Sequence, residues 1–165
     1  MSKAYDPFVD AENRGITVHR TELPGNLLGV ANLAGRQVWL DWRLLQTEER
    51  STLAHEIAHF DVDADNDGRI GGGPNGALVA SVENECTRIA SKWLIDFDEL
   101  VNAAKWADSI EDVADELVVT DEMVRARMQT LTKDETKRFD REVGRGYAAR
   151  LRGKPLQRKA PLKRR

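Results

Sequence analysis

The sequence predicts an α+β fold, with a small N-terminal antiparallel sheet followed by a run of helices, and three observations predict it. Apolar and polar residues alternate with a period of two in the first 45 residues. From Thr47 the apolar spacing lengthens to that of a helix, and the two kinds of segment do not interleave as they do in a parallel-sheet fold. A chain of 165 residues is long enough for one well-cored domain and short for two.

Each element has its own signal. ITVHRTEL, residues 16–23, alternates as a half-buried strand does, and Pro24 with Gly25 marks a turn. LLGVANLAGRQVWLDWRLL reads as a hairpin that reverses near Ala34 and Gly35. Thr47 is the expected N-cap of the next helix, Glu48 and Glu49 place acid where the helix dipole favours it, and Leu53, Ile57 and Phe60 form an apolar stripe. Residues 65–75 are a glycine-rich loop. A second helix over residues 77–95 carries Leu78, Val82, Cys86, Ile89, Ala90, Trp93 and Leu94. Ser109 and Thr120 are expected to cap two shorter helices, and residues 133–143 add another before Gly144 and Gly146.

Charge is divided unevenly along the chain. The net charge of −3 comes from 25 bases and 28 acids, yet residues 150–165 hold eight of the bases and no acid, which leaves 17 bases against 28 acids before them. Residues 1–147 are therefore expected to be the folded domain and residues 148–165 a basic, disordered tail, the one part of the chain suited to phosphate or an acidic partner. No apolar run reaches the roughly 18 to 20 residues of a membrane helix. MSKAYDPFVDAENRG carries acids and lacks the apolar core of an export signal, so a cytoplasmic location away from membranes is the expectation. Cys86 is the single cysteine, which excludes an intrachain disulfide and a four-cysteine zinc site.

Residues 53–73, LAHEIAHFDVDADNDGRIGGG, contain two metal-binding spellings in succession. The first is His-Glu-x-x-His. At about 100° per residue, His55 and His59 lie roughly 40° apart and one helical turn along, so both rings can reach one tetrahedral zinc ion. Glu56 falls on the flank, outside the ligand set but near the position of a reacting water, where it can act as general base. A third ligand is needed, and no histidine follows at the spacing that would supply it. SVENECTRIASKWL offers Glu83 and Glu85 instead. Glu83 lies near the track of Leu78, Val82 and Cys86 and can point inward, whereas Glu85 points about 200° from it. Glu83 is the expected ligand and Glu85 the alternative.

The second spelling is the opening of a calcium loop, with Asp63, Asp65 and Asp67 at positions 1, 3 and 5 and Gly68 at 6. Position 12, where a bidentate glutamate closes such a site, is Pro74, so a full EF-hand fails and only a looser Ca2+ site remains as a secondary alternative.

RSTLAHEIAH followed by a loop and VENECTRIASKWLI resembles the ImmA/IrrE metallopeptidases. The likeness spans about residues 28–131, with GRQVWLD as the strand before the active helix and IEDVADELVVTDEMVRARMQTL as the C-terminal helical region. Cys86, Thr87, Ile89 and Asp96 stand where the family commonly has alanine, asparagine, phenylalanine and proline. The resemblance implies a zincin-like fold, one Zn2+ held by His55, His59 and Glu83, and endopeptidase cleavage of a regulatory protein such as a helix-turn-helix repressor, in a phage or mobile-element setting within a bacterial cytoplasm. A non-proteolytic, metal-stabilised regulator that binds a repressor is the alternative. The strand QVWLD is expected to line the cleft and pair with an extended substrate.

His19 reads as a structural strand histidine, and Trp39, Trp42, Trp93 and Trp106 as core or core-edge residues. The segment from Ile110 to Met128 has helix-turn-helix spacing, but its second helix opens on Asp121 and Glu122, which suit phosphates badly. Direct nucleic-acid reading is therefore not expected there.

Overall fold

The structure, a computed structural model, describes residues 4–65, 76–145 and 147. Its elements are α1 (Pro7–Asn13), β1 (Thr17–Thr21), β2 (Gly29–Asn32), β3 (Gln37–Asp41), α2 (Gln46–Asp65), α3 (Gly76–Leu94), α4 (Phe97–Trp106), α5 (Ile110–Leu117), α6 (Asp121–Gln129) and α7 (Lys133–Glu142). The class is α+β. Helix α1 stands in the N-terminal region that the residue pattern assigns to strands alone; Asp6 caps it by accepting the Phe8 N–H, and Pro7 opens it.

The sheet is mixed, which corrects the antiparallel expectation. β2 and β3 form the predicted antiparallel hairpin, with Asn32 Oδ1 accepting the Gly35 N–H at 2.9 Å in the turn. β1 pairs parallel with β3, and the strand order is β1-β3-β2. Val38 and Leu40 on β3 are wholly inaccessible, and β3 holds the centre of the sheet with a hydrogen-bonded neighbour on each side. The chain leaving β1 crosses to the far side of β3 before it enters β2, and Asp41 fixes that crossing by accepting the Leu23 N–H at 3.0 Å and the Arg43 guanidinium at 2.6 Å. It follows that QVWLD, which is β3, is hydrogen-bonded along both edges and has no edge for a substrate strand. β2 holds a free edge.

Helix α2 begins one residue before its expected cap, and Glu48 does the capping, its Oε2 accepting the Leu45 N–H at 2.8 Å. Its middle is covered on several sides, where the sequence pattern shows a single stripe. Leu53 and Ile57 pack with Ala11, Val38 and Leu40 of the N-terminal layer, Ala54 enters the core of the C-terminal helices, and Ala58 meets Val82 and Cys86 of α3. Such a helix lacks a polar face except where neighbours leave a gap.

The C-terminal helices are punctuated by caps. Asp96 caps α4 through the Asp98 and Glu99 N–H groups, and capping boxes pair Ser109 with Asp112 and Thr132 with Glu135. Thr120 precedes α6 without a side-chain cap bond, and its own N–H is donated to Ser51 Oγ on α2 at 3.0 Å. α6 buries Met123, Val124, Ala126, Arg127 and Met128, and α3 packs along it. Trp39 and Trp93 are half-buried, but Trp42 and Trp106 are 62% and 91% exposed, against the core-edge expectation. Both stand at the ends of elements, Trp42 just after β3 and Trp106 as the last residue of α4. The expected tail, residues 148–165, lies outside the described residues. Among the described residues no helix is long and apolar enough to cross a membrane.

Arg50 joins three parts of the chain. Its Nη1 donates to the carbonyls of Leu117 and Val118 at the end of α5, at 3.0 and 3.1 Å, and its Nη2 donates to the Tyr5 carbonyl at 2.9 Å. Replacing Arg50 by Met keeps the apolar stem and strands these acceptors, and should cost about 2 to 3 kcal/mol of unfolding free energy. Urea denaturation checks this against Lys137→Ala at an exposed position, which should change stability by less than about 0.5 kcal/mol.

Candidate metal centre

One turn of α2 separates His55 from His59, and their ring centroids lie 5.1 Å apart with the rings nearly at right angles. α3 brings a carboxylate to both. His55 Nε2 is 3.1 Å from Glu83 Oε2, and His59 Nε2 is 3.4 Å from Glu83 Oε1. The three residues offer ligand atoms that all lie within 4.8 Å of one another. Glu85 stands apart, half exposed, with its carboxylate 3.5 Å from Arg88 Nη1. Of the calcium spelling, Asp63 and Asp65 belong to the last turn of α2, and Asp67 with the loop beyond lies outside the described residues.

Thr87, one turn after Glu83, sets the orientation of His55. Its hydroxyl donates to the Glu83 carbonyl at 2.9 Å and lies 3.1 Å from His55 Nδ1. A hydroxyl has one proton, so toward His55 the oxygen accepts, and the proton on the ring sits at Nδ1. With Nδ1 protonated, Nε2 is the nitrogen that faces Glu83, donating to its carboxylate when the ring is charged and offering a lone pair when it is neutral. Two imidazole nitrogens and a carboxylate oxygen, with one ring held in the right tautomer by a hydrogen bond behind it, make a donor set that fits a divalent metal ion.

Electrostatics divide the two carboxylates of the site. The hydrogen bond from His55 holds the Glu83 carboxyl below its ordinary range, against the effect of its partial burial. Burial opposes charge on His55, but the Glu83 hydrogen bond, with the charges of Glu56, Glu83 and Glu122, outweighs it and raises the ring's pKa. Glu56 is 9% exposed, and burial pushes its carboxyl upward despite the two nearby imidazoles. It lies against β2, where the Ala31 backbone N–H favours its charged form. Two glutamates of one site therefore differ in charge through their surroundings, Glu83 held anionic and Glu56 drawn toward its neutral form.

Gly29 and Ala31 were not singled out by the sequence, although a glycine inside a period-two stretch signals close approach of another group. A cleft of about 1000 Å³ at the N-terminal end of α2, lined by Tyr5, Glu49, Arg50, Glu99, Trp106 and Glu116 among others, includes none of His55, Glu56, His59 and Glu83.

Fold and side chains together define the class of metallopeptidases that carry their metal-binding groups on two packed helices. Residues 11–129 match the Peptidase_M78 family model, described as the IrrE N-terminal-like domain, and the chain belongs to this metallopeptidase family. No curated protein and no solved structure matches it.

Without metal, the His55–Glu83 pair contributes stability in a defined window. The Glu83 part is present above its ordinary pKa of 4.5 and is lost as pH falls through its depressed value; the His55 part is complete below the ordinary 6.5 and is lost as pH rises through its elevated value. Metal must displace the proton that Glu83 draws onto His55, so the apparent affinity should climb as pH rises through the elevated His55 value and uptake should release protons, as chelator competition at several pH values would measure. Thr87→Val should weaken the metal about 10- to 100-fold, and Thr87→Asn should recover much of that loss because the amide oxygen can accept from Nδ1.

Proposed function

We propose that this chain is a zinc-dependent endopeptidase in which His55, His59 and Glu83 hold the ion and Glu56 is the general base. The observation that carries the reading is the convergence of two imidazoles from α2 and one carboxylate from α3, with a second, buried carboxylate beside them. When bound, zinc supplies Lewis acidity toward a peptide carbonyl oxygen and makes water a stronger acid near neutral pH. Glu56 takes the proton from the attacking water and returns it to the amine nitrogen as the peptide bond breaks. Burial of Glu56 suits both transfers, since a carboxyl with a raised pKa accepts and releases a proton at lower cost near neutrality. Thr87 keeps His55 in one tautomer throughout.

β2 is placed to receive the substrate. Asp41 N–H donates to the Leu28 carbonyl at 2.9 Å, and with Gly29 opposite Leu40 this register turns the N–H and C=O groups of Gly29 and Ala31 to the free edge, toward Glu56. An extended segment adding to that edge would lie across the ion and the base. The substrate class, a helix-turn-helix repressor of a phage or mobile element cleaved in the bacterial cytoplasm, is supported by the family resemblance. The second reading, a regulator that binds a repressor without cutting it, uses the same metal centre as a structural clasp.

Glu56→Gln separates the two. Zinc-loaded protein incubated with the repressor encoded beside it should yield discrete fragments, and the variant should keep zinc and repressor binding while cleavage drops by about 10²- to 10⁴-fold. Regulation that survives Glu56→Gln unchanged would favour the binding role.

A further inference from the structure

Gly29 takes ordinary strand backbone and is not among the glycines with positive φ, so backbone conformation does not require a glycine there. Space does. A Cβ built on Gly29 would meet Thr52 Cγ2 at 2.6 Å, Glu56 Cγ at 3.0 Å and Glu56 Oε1 at 3.1 Å. These atoms belong to one face of α2, four residues apart, so the missing side chain is a shallow cradle into which that face fits. Glu56 fills its far end.

We infer that Gly29 is a positioning residue for Glu56: having no side chain, it lets β2 lie close enough to α2 for the carboxylate to rest at the free edge, where the proposed substrate and the ion meet. The inference rests on the proposed role of Glu56 as base. Three features support the geometry. Gly29 and Ala31 share the sheet face turned to α2, and both turn their peptide groups to the free edge. Thr52 Cγ2 is the nearest obstacle and sits directly on Cβ, close to the helix backbone, so an added methyl meets it first. Glu56 can yield as well, because its carboxylate is the end of a flexible chain, so part of the room for an alanine at position 29 would come from displacing the base.

The substitution Gly29→Ala alone mixes two effects, because the Thr52 conflict would also lift the strand. Thr52→Ser removes Cγ2, so Gly29→Ala in that background leaves Glu56 as the remaining obstacle. The full chain is compared as wild type, T52S and G29A/T52S by hydrogen exchange at the Ala31 amide, by zinc affinity against a chelator, and by kcat and KM on the repressor that the wild type cleaves. In G29A/T52S the Ala31 amide should exchange at least about 10-fold faster than in T52S, while exchange along β3 and zinc affinity change by less than about 3-fold. The kcat should fall about 10²-fold with KM unchanged, the signature of a misplaced base.

Unchanged Ala31 exchange and kcat would overturn the inference. So would loss of protection along β3 with loss of zinc, which would make Gly29 a packing requirement only. E56Q cleaving at the wild-type rate sinks the reading of Glu56 and this inference with it. An inactive E56Q beside a fully active G29A/T52S sinks the inference alone.

Discussion

The enclosure of α2 is the constraint on which the rest depends. Through its middle, this helix is bordered by the sheet, by α3 and by the C-terminal helices, and small residues at Ala54 and Ala58 let two of those neighbours come close. A helix enclosed in this way can carry polar groups only where its neighbours leave an opening or supply partners. His55, Glu56 and His59 occupy that opening. The imidazoles receive Glu83 and Thr87 from α3, and Glu56 receives the backbone of β2. The imidazoles are thus fixed by α3 and Glu56 by β2, and packing that stabilises the domain also sets the geometry of the site.

The same enclosure makes the site electrostatically incomplete on its own. Glu83 is shared between two rings, and its pairing with His55 draws a proton onto a ring that has to be neutral to bind metal. A divalent cation bound there, as proposed, would replace that proton and meet both imidazoles and the carboxylate at once. Glu56 is excluded from this exchange because it points to β2, and burial keeps its charge expensive. Two glutamates of one cluster differ in role because one faces the rings and the other faces a backbone edge.

Much of the site was legible because helical spacing is local. A five-residue pattern places His55, Glu56 and His59, and the apolar track of α3 puts Glu83 on the side that faces α2, where it stays half exposed, since both depend only on the 100° step of a helix. What depends on distant pairing was less legible. The parallel partnership of β1 with β3 joins strands that are not neighbours in the chain, and alternation within β1 says nothing about which strand lies beside it. Helix α1 had its signal in Asp6 and Pro7, but seven residues hold too few apolar positions to show a period. Trp42 and Trp106 show the reverse failure: composition assigns large aromatics to the interior, while these two, just after β3 and at the end of α4, stand exposed. Gly29 was passed over because its partners, Thr52 and Glu56, come from another element.

The C-terminal helices acquire a purpose from this arrangement. The α5–α6 pair has the spacing of a DNA-reading unit, yet α6 turns Met123, Val124 and Met128 inward and packs along α3. Thr120, at the head of α6, bonds Ser51 on α2, and Arg50 on α2 binds the carbonyls that end α5. The pair therefore grips both site-bearing helices, α3 by packing and α2 by hydrogen bonds. The 4.8 Å within which the candidate ligand atoms of two imidazoles and a carboxylate gather is maintained by residues that lie outside the candidate metal site.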